Sequence, residues 1–417
     1  MRFHARLLVL PLLVGFPERS LLNAQVKPAA ATANVAVSVR WNRLAPKFAD
    51  EAAASRRAAR AAAAGDSAAL RRIAQVQPPL QFRVYTLLSV AQYAALNSAR
   101  EKRDASSDAA VASASAAVFT EMYPDSTVRA SIARELARDI EQARARSGTG
   151  KSAAAGRTLG EDVARRVIAW GPSFNLVAPW SGTIPTGPGM WYSARGMPPI
   201  GVAMGTARTW VLDSASQFRP APPPAFGSPE FQAALEEVRE VARKRTPEQT
   251  RIARKWNIAD PSAVWNQTAS DAVLRHGMSN AEATRILAVL NVAAMDAVIA
   301  CFEAKYRYWL IRPSQADTTL VLADSVGLPN FPAFPSGHAC SAGAFGEVMA
   351  HYIPQDRAEF TRIAEEQAMS RLYGGIHYRF DNDGGLELGR VVARHVVAQE
   401  QRGRLNASRT APVVRKP

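Results

Sequence analysis

Cysteine is scarce in this sequence: Cys301 and Cys340 are the only two among 417 residues. Two thiols are too few for a disulfide framework, which excludes the small secreted folds that depend on several bridges. An oxidising compartment would still permit one bridge between them. We expect buried free thiols instead, because a bridge requires a narrow range of Cα separations that nothing in the sequence indicates.

Runs of β-branched residues are also scarce, and no internal repeat of fixed period is present. Alanine is frequent instead, with runs at 52–54 and 61–64, and hydrophobic residues make up 47% of the chain. Alanine has the highest helix propensity, and this share of apolar side chains can build a sizeable core. The predicted fold class is all-α, with helical bundles in one large domain or two ordinary ones.

Apolar runs that could span a membrane are also lacking. Residues 7–16 are apolar and follow Arg2 and Arg6, but they are too few for a span and are typical of an export signal. We predict a signal peptide at residues 1–24, although Leu22-Asn23-Ala24 matches the cleavage rule only in part, and a periplasmic or secreted protein. The longer stretch 286–301 contains Asn291 and Asp296, so a buried central helix is expected and no integral membrane segment remains in the mature chain.

Acidic residues are outnumbered, since 51 Lys and Arg face 36 Asp and Glu for a formal net charge of +15. Such a balance favours an anionic partner, whether nucleic acid, anionic lipid, phosphate or a phosphate analogue. Most of the excess is assigned to a solvated basic surface on helices near residues 129–166. A zinc finger, an RNA-recognition motif and a glycine-rich phosphate loop are all absent from the sequence, so no nucleic-acid partner is expected.

Composition divides the mature chain near residue 228. The N-terminal helical region, residues 25–227, contains predicted helices near 80–99, 109–123, 126–146 and 160–170. It also contains a long Trp-, Gly- and Pro-rich loop at 171–199, for which a functional role and a packing role are equally open. A Pro-rich connector at 217–228 leads to a catalytic helical region, residues 228–417, which is expected to pack with the N-terminal region as one unit.

Three helix starts are marked by capping residues: Ser228 before Pro229, Thr246 before Pro247, and Ser279. The helix that begins after Ser279 is predicted to continue to about Ile311, because the residue after it precedes a proline.

Three later segments have polar residues that are difficult to explain as structure alone. The first contains Lys305 and Arg312, seven residues apart, which would project from nearly the same face if the helix continued through both. The second is Pro335-Ser336-Gly337-His338, a turn entering a helix, where free backbone N–H groups and a hydroxyl favour an oxyanion. Each feature alone is also explained by a common structural role, namely an exposed basic pair and an ordinary serine cap.

The third segment runs from Ser370 to Asp381. Arg371 offers a planar fork for an oxyanion. His377 and Asp381 are four apart, so that on a helix the carboxylate could fix the tautomer of the imidazole. A surface His–Asp pair is the alternative interpretation of these two residues.

Together the three segments have the order Lys-x6-Arg-Pro, Pro-Ser-Gly-His and Ser-Arg-x5-His-x3-Asp. This pattern resembles the superfamily that unites vanadium-dependent haloperoxidases, class A acid phosphatases and PAP2 lipid phosphatases. The resemblance is specific over about residues 280–400 and implies the all-α helical-bundle fold of the haloperoxidase and acid phosphatase type.

The resemblance also implies a role for each motif residue. The oxygens of vanadate or phosphate would be bound by Lys305, Arg312, Arg371, Ser336 and the N–H of Gly337. His377 would be the ligand of vanadium, or the nucleophile that becomes phosphohistidine. His338 would be the acid–base residue, and Asp381 would orient His377. Lys305 would also polarise hydrogen peroxide.

Two chemistries share this site, so the motifs alone do not choose between them. A haloperoxidase would use vanadate as cofactor with hydrogen peroxide and halide as substrates. A phosphatase would hydrolyse a phosphate ester and need no cofactor beyond the bound phosphate. A third reading, a non-catalytic helical binding protein, is opposed by the intact three-part site.

Three features favour the haloperoxidase. The chain is long, its additional helical half precedes the motifs, and no set of membrane spans is present. Phe331 also resembles the chloroperoxidase-type members, where bromoperoxidases have histidine. Phe302 departs from the pattern of the fungal chloroperoxidases, which have tryptophan at this position, near the halide. The resemblance therefore does not imply chloride oxidation and leaves the oxidation of bromide or iodide, without a choice of halide.

Overall fold

The computed structural model describes residues 36–66, 80–147, 150–171, 178, 180–193, 196–324 and 326–405. The predicted signal peptide, residues 1–24, lies outside them. The predicted all-α class is confirmed: the described residues form α-helices without a β-strand, and a single isolated β-bridge joins Met190 to Leu310.

Thirteen α-helices and two short 3-10 helices are present in these ranges. The α-helices are α1 Val37–Ala62, α2 Gln81–Glu101, α3 Ser107–Met122, α4 Ser126–Ser147, α5 Gly150–Trp170, α6 Pro229–Lys244, α7 Pro247–Ile258, α8 Pro261–Arg275, α9 Asn280–Tyr308, α10 Pro313–Ala316, α11 Gly337–Tyr352, α12 Arg357–Tyr373 and α13 Arg379–Gln401. The 3-10 helices are Val202–Thr206 and Pro354–Asp356.

Helix α9 is the centre of the bundle and packs against α2, α11 and α13. It is the one described helix that is long and apolar enough to cross a membrane, yet 94% of its most apolar window is buried inside the protein. Its apolar length is therefore explained by contact with neighbouring helices on all sides, as the sequence predicted.

Helices α11 and α13 approach each other closely because glycines face the contact. A Cβ built on Gly343 would lie 2.2 Å from the carbonyl oxygen of Leu386, and one on Gly389 would lie 2.1 Å from that of Cys340. Any larger residue would separate the two helices. This approach brings together the first turns of α11 and α13, which carry two of the three motifs.

Glycine also explains an incorrect boundary. The sequence predicted a short helix at 160–170, but α5 begins at Gly150. A Cβ on Gly156 would lie 2.4 Å from the carbonyl oxygen of Ser106, and one on Gly160 would lie 2.2 Å from that of Ala110. These two glycines allow α5 to pack closely against α3.

The three predicted caps are present. The hydroxyl of Ser228 accepts from the N–H of Phe231, while Thr246 and Ser279 each form a complete capping box. The predicted end of the last helix was wrong, because α9 stops at Tyr308, three residues before Ile311. Trp309 has a left-handed backbone with φ of 50°, which ends the helix.

A buried carboxylate attaches an irregular segment to α9. Asp296 is fully buried, and its two oxygens accept from the backbone N–H groups of Trp210, Val211 and Leu212 at 2.7, 2.8 and 3.2 Å. These bonds satisfy a carboxylate that interrupts the apolar sequence of α9. The segment 202–212 is thereby held against the centre of the bundle.

The division into regions 25–227 and 228–417 stays a prediction. In the described part of the chain, α2 from the first region packs directly against α9 from the second.

Candidate oxyanion-binding site

Lys305 lies in the last turn of α9 and is completely buried. Its Nζ donates to the carbonyl oxygens of Pro332 and Ala333 at 2.9 and 2.8 Å and lies 5.1 Å from the ring centroid of Phe331. An ammonium group has three protons, so one remains for a further acceptor. Burial lowers the pKa of Lys305 to about 8.

Arg312 does not share a helix with Lys305, so the predicted common helix face was wrong. The chain turns at Trp309, and Arg312 has an extended backbone at the start of α10. Its guanidinium still returns to the same place: Nη2 is 3.5 Å from the carbonyl oxygen of Pro332, and Cζ is 5.1 Å from the Phe331 ring centroid. The two cations therefore meet across one phenyl ring.

Arg312 also makes two contacts with residues of the third motif, Ile376 and His377. Its Nη1 donates to the carbonyl oxygen of Ile376 at 2.8 Å and lies 3.3 Å from Nε2 of His377. A guanidinium cannot accept a hydrogen bond, so this Nε2 is the unprotonated nitrogen of the ring.

The other ring nitrogen of His377 faces Asp381. Nδ1 lies 2.8 Å from Oδ2 of Asp381, which also accepts from the backbone N–H of Tyr378 at 3.1 Å. The side chains of His377 and Asp381 contact each other, as their four-residue spacing predicted, although His377 precedes α13 and only Asp381 is helical. Burial and the charges of Arg312, Lys305 and Arg371 lower the pKa of His377, so its imidazole is neutral. Burial raises the pKa of Asp381 to about 7.

Arg371 is nearly fully buried at the end of α12. Its Nε donates to the hydroxyl of Ser370 at 2.9 Å and its Nη2 to the carbonyl oxygen of Ala253 at 3.1 Å. Burial lowers its pKa to about 10, so the guanidinium stays charged at neutral pH. Its positive charge is among the causes that lower the pKa of His338 and that of His377.

The second motif contributes the first turn of α11. The N–H of Cys340 bonds to the carbonyl oxygen of Ser336, so the N–H groups of residues 337–339 precede the helical hydrogen-bond pattern. The Ser336 hydroxyl is completely buried and has no hydrogen-bond partner among the described residues. A Cβ on Gly337 would meet only the Cys301 sulfur, at 4.0 Å. A buried unbonded hydroxyl beside free N–H groups can donate hydrogen bonds to the oxygen of an anion.

His338 follows in the same turn. Its Nε2 lies 3.0 Å from the carbonyl oxygen of Trp256, which can only accept, so Nε2 carries the ring proton. Burial and the positive charges of Arg371 and Lys305 lower its pKa to about 3. His338 is therefore neutral, with Nδ1 as the nitrogen that can take up a proton.

The charges of the site do not cancel. Lys305, Arg312 and Arg371 are buried, and none of them has a carboxylate within ion-pair distance in the described part of the chain. Asp381 supplies at most one negative charge nearby, which leaves at least two positive charges in excess. Because an uncompensated buried charge is very costly, this excess fits a dianion bound against Ser336 and Gly337.

The sequence missed the carbonyl groups that hold this cluster. Those of Ala253 and Trp256 come from α7, where no polar motif marks them. Gln367 of α12 was also missed; its Nε2 donates to the carbonyl oxygen of His338 at 2.8 Å. Backbone acceptors leave no signature in side-chain identity, which is why the motifs did not reveal them.

The two cysteines lie directly behind the site. Both are buried and free, as predicted, and the Cys301 thiol lies 3.6 Å from the carbonyl oxygen of Pro335. The long loop also supports the site: Trp191 is buried and 6.0 Å from the Trp309 ring, and the Gln315 side chain donates to the carbonyl oxygen of Tyr192. The loop thus has a packing role, and its functional role stays a prediction.

The model of the PAP2 superfamily matches residues 285–404, which include all three motifs. A vanadium-dependent bromoperoxidase of Ascophyllum nodosum is 30% identical in an alignment of 115 residues, and the match covers 20% of this chain. The matched part is 21% of that protein, so the similarity covers about a fifth of its length.

Solved structures are similar over much more of the chain. A bacterial vanadium-dependent iodoperoxidase matches with a TM-score of 0.65 and 25% identity over 78% of this chain and 91% of that one. Apo- and holo-type structures of bacterial vanadium-dependent chloroperoxidase match with TM-scores of 0.60 and 0.56. These two are 13% and 14% identical, cover 79% of this chain and 96% and 94% of theirs, and support the fold alone.

Proposed function

We propose, for a chain whose residues 285–404 belong to the PAP2 superfamily, the activity of a vanadate-dependent haloperoxidase. Hydrogen peroxide and halide would be its substrates, and the oxyanion site would bind vanadate. The similarity to an iodoperoxidase over most of both chains and to a bromoperoxidase over 115 residues supports this reaction over phosphate-ester hydrolysis.

The observation that carries the proposal is the uncompensated charge of Lys305, Arg312 and Arg371. Three buried cations, one orphaned hydroxyl at Ser336 and one neutral imidazole at His377 match the needs of an oxyanion that forms a bond to nitrogen. Both vanadate and phosphate have this chemistry. The residues present therefore fit the cofactor.

Vanadate, when bound, supplies the activation of hydrogen peroxide toward attack by halide. The three cations and the Ser336 hydroxyl would hold its oxygens, and Nε2 of His377 would be its protein ligand. Asp381 keeps the proton on Nδ1, so Nε2 presents its lone pair. Lys305 has one free N–H to stabilise negative charge on peroxide oxygen, and Nδ1 of His338 can accept a proton.

The preferred halide is proposed to be iodide or bromide. The Phe302 and Phe331 rings are 5.3 Å apart, and the Phe331 ring lies against both Lys305 and Arg312. The two phenyl rings make this side of the site apolar. Chloride is the most strongly hydrated of the three halides, so it loses most on entering such a surrounding.

A reconstitution experiment tests the function. Purified apo-protein is assayed for peroxide-dependent oxidation of iodide and bromide with and without orthovanadate, and for hydrolysis of p-nitrophenyl phosphate. Vanadate-dependent halide oxidation supports the proposal. Phosphatase activity without halide oxidation would instead assign the phosphohistidine reaction to His377. Absence of both activities, with phosphate still bound, would favour a binding protein.

Export is proposed as well, to the periplasm or the medium. The support is the basic, apolar and small-residue sequence of residues 1–24. The N-terminal sequence of the protein recovered from periplasmic and medium fractions tests this. A cytoplasmic protein that begins at Met1 would contradict it.

A further inference from the structure

Helix α7 lies outside the three motifs, yet two of its backbone carbonyl groups contact residues of the site, Arg371 and His338. The carbonyl oxygen of Ala253 accepts from Nη2 of Arg371 at 3.1 Å, and that of Trp256 lies 3.0 Å from Nε2 of His338. The two acceptors are three residues apart, so they lie on one side of the helix. A movement of α7 would therefore displace the guanidinium of Arg371 and the imidazole of His338 together.

The Trp256 bond also determines which nitrogen of His338 can react. Because a carbonyl oxygen only accepts, it selects the tautomer with the proton on Nε2 and leaves Nδ1 as the basic nitrogen. If this bond were lost, the neutral ring could place its proton on either nitrogen. Part of the population would then have no proton acceptor at Nδ1.

One carboxylate attaches the C-terminal turn of α7 to α12. Oε1 of Glu366 accepts from Nζ of Lys255 at 2.6 Å and from Nε1 of Trp256 at 3.0 Å. Its Oε2 lies 3.4 Å from Arg362, and the side chain is only 16% exposed. Trp256 itself is completely buried. Glu366 thus binds the side chain of Trp256, the residue whose carbonyl oxygen contacts the imidazole of His338.

The neighbouring residue holds His338 from the other side. Gln367 donates to the carbonyl oxygen of His338 at 2.8 Å and to the hydroxyl of Ser341 at 3.0 Å. Its own Oε1 accepts from Nε1 of Trp265 at 2.6 Å. Gln367 therefore fixes the backbone of His338, whereas Glu366 acts on the imidazole through α7.

We propose that Glu366 is a positioning residue, which holds α7 in place by binding Lys255 and Trp256. The position of α7 in turn fixes the tautomer of His338 and the position of the Arg371 guanidinium. Its catalytic consequence depends on the proposed function, whereas the tautomer and the affinity for phosphate do not. Glu366 touches neither the oxyanion nor the reacting atoms.

The experiment compares three variants of the full chain. Glu366→Ala removes both acceptors, Glu366→Gln retains an oxygen for the Trp256 N–H, and Glu365→Ala changes the exposed neighbour on the same helix. Three quantities are measured: the ¹⁵N shifts of the His338 ring in labelled protein, the affinity for inorganic phosphate, and the pH profile of halide oxidation. His338→Gln serves to assign the ring signals.

For Glu366→Ala we expect mixed His338 tautomers, weaker phosphate binding and kcat reduced about 10–100-fold, since supporting partners of site histidines have effects of this size. Its pH profile should change, because the population with a free Nδ1 changes. Glu366→Gln should recover most of the tautomer signal, and Glu365→Ala should match wild type.

A folded Glu366→Ala protein with the wild-type tautomer and phosphate affinity would overturn the proposal. If this variant does not fold, Trp256→Phe removes the indole N–H, keeps an aromatic ring at this buried position and tests the same link. An unchanged His338 tautomer there would also overturn it. Wild-type protein that binds phosphate but oxidises no halide would refute the proposed function while leaving the tautomer comparison decisive for Glu366.

Discussion

The Nδ1 atom of His377 lies 2.8 Å from Oδ2 of Asp381, while Nε2 of the same ring lies 3.3 Å from a nitrogen of Arg312. The carboxylate accepts a hydrogen bond from Nδ1–H, and the guanidinium directs an N–H toward Nε2. The tautomer is therefore fixed from both ends, and the lone pair is on Nε2. This arrangement would let a neutral histidine bond to vanadium or attack phosphorus.

Replacing Asp381 with asparagine tests this tautomer. The amide oxygen can still accept from Nδ1 or from the Tyr378 N–H, but it provides no negative charge. We expect a folded protein with kcat reduced by about 10–100-fold, as for other carboxylates that support a ligand histidine. The measurement is steady-state halide oxidation with vanadate present. Unchanged kcat in Asp381→Asn would show that the carboxylate does not support His377.

His377→Ala removes the one side chain expected to bond to vanadium. Lys305, Arg312 and Arg371 and the first turn of α11 remain, so an oxyanion can still bind weakly. We expect loss of halide oxidation and of any phosphohistidine, an unchanged circular dichroism spectrum and residual phosphate affinity by calorimetry. Wild-type turnover by His377→Ala in either assay would show that this histidine is not the centre of the chemistry.

Phosphate affinity should fall as the pH rises past about 8. Burial lowers the pKa of Lys305 to about 8, whereas the pKa of Arg312 and that of Arg371 remain near 10. Above pH 8 the site therefore loses one of three charges and keeps two. Calorimetric titration from pH 6 to 9 should show the fall in wild type. The matched variant Lys305→Met should bind more weakly at low pH and show no fall across pH 8; a parallel fall in that variant would assign the titration to another group.

The position of these residues was only partly predictable from the sequence. Capping residues placed the starts of three helices, and the motifs named Arg312, His377 and Asp381, which lie in contact with one another. The path of the chain between Lys305 and Arg312 was not predictable, because the left-handed turn at Trp309 has no signal when a tryptophan occupies it. The two cations meet through the shared carbonyl oxygen of Pro332 and the Phe331 ring, which are long-range contacts.

Asp296 shows the same limit in the core. As a carboxylate in an apolar stretch, it favoured a buried helix over a membrane span, but the sequence did not show that three backbone N–H groups would surround it. We expect Asp296→Asn to lower the free energy of unfolding by about 1–3 kcal/mol, because an amide group cannot accept from all three donors. Urea denaturation measures this, and Asp213→Asn, directly after the segment 202–212 and with an exposed side chain, is the control.

The pH dependence of that loss has a defined sign. Burial raises the pKa of Asp296 from 3.8 to about 6, so between these values the folded protein binds this proton more tightly than the unfolded chain. The contribution of Asp296 to stability therefore falls as the pH rises from about 4 to 6. The difference in unfolding free energy between wild type and Asp296→Asn should be larger near pH 4 than near pH 7. A difference that grows with pH would contradict the assigned burial.

The most direct test of the central claim is vanadate reconstitution of the apo-protein, followed by peroxide-dependent oxidation of iodide and bromide. The account predicts activity that saturates with orthovanadate, is inhibited by competing phosphate and is absent from His377→Ala. Halide oxidation that is independent of vanadate, or none at any vanadate concentration in a protein that still binds phosphate, would contradict it.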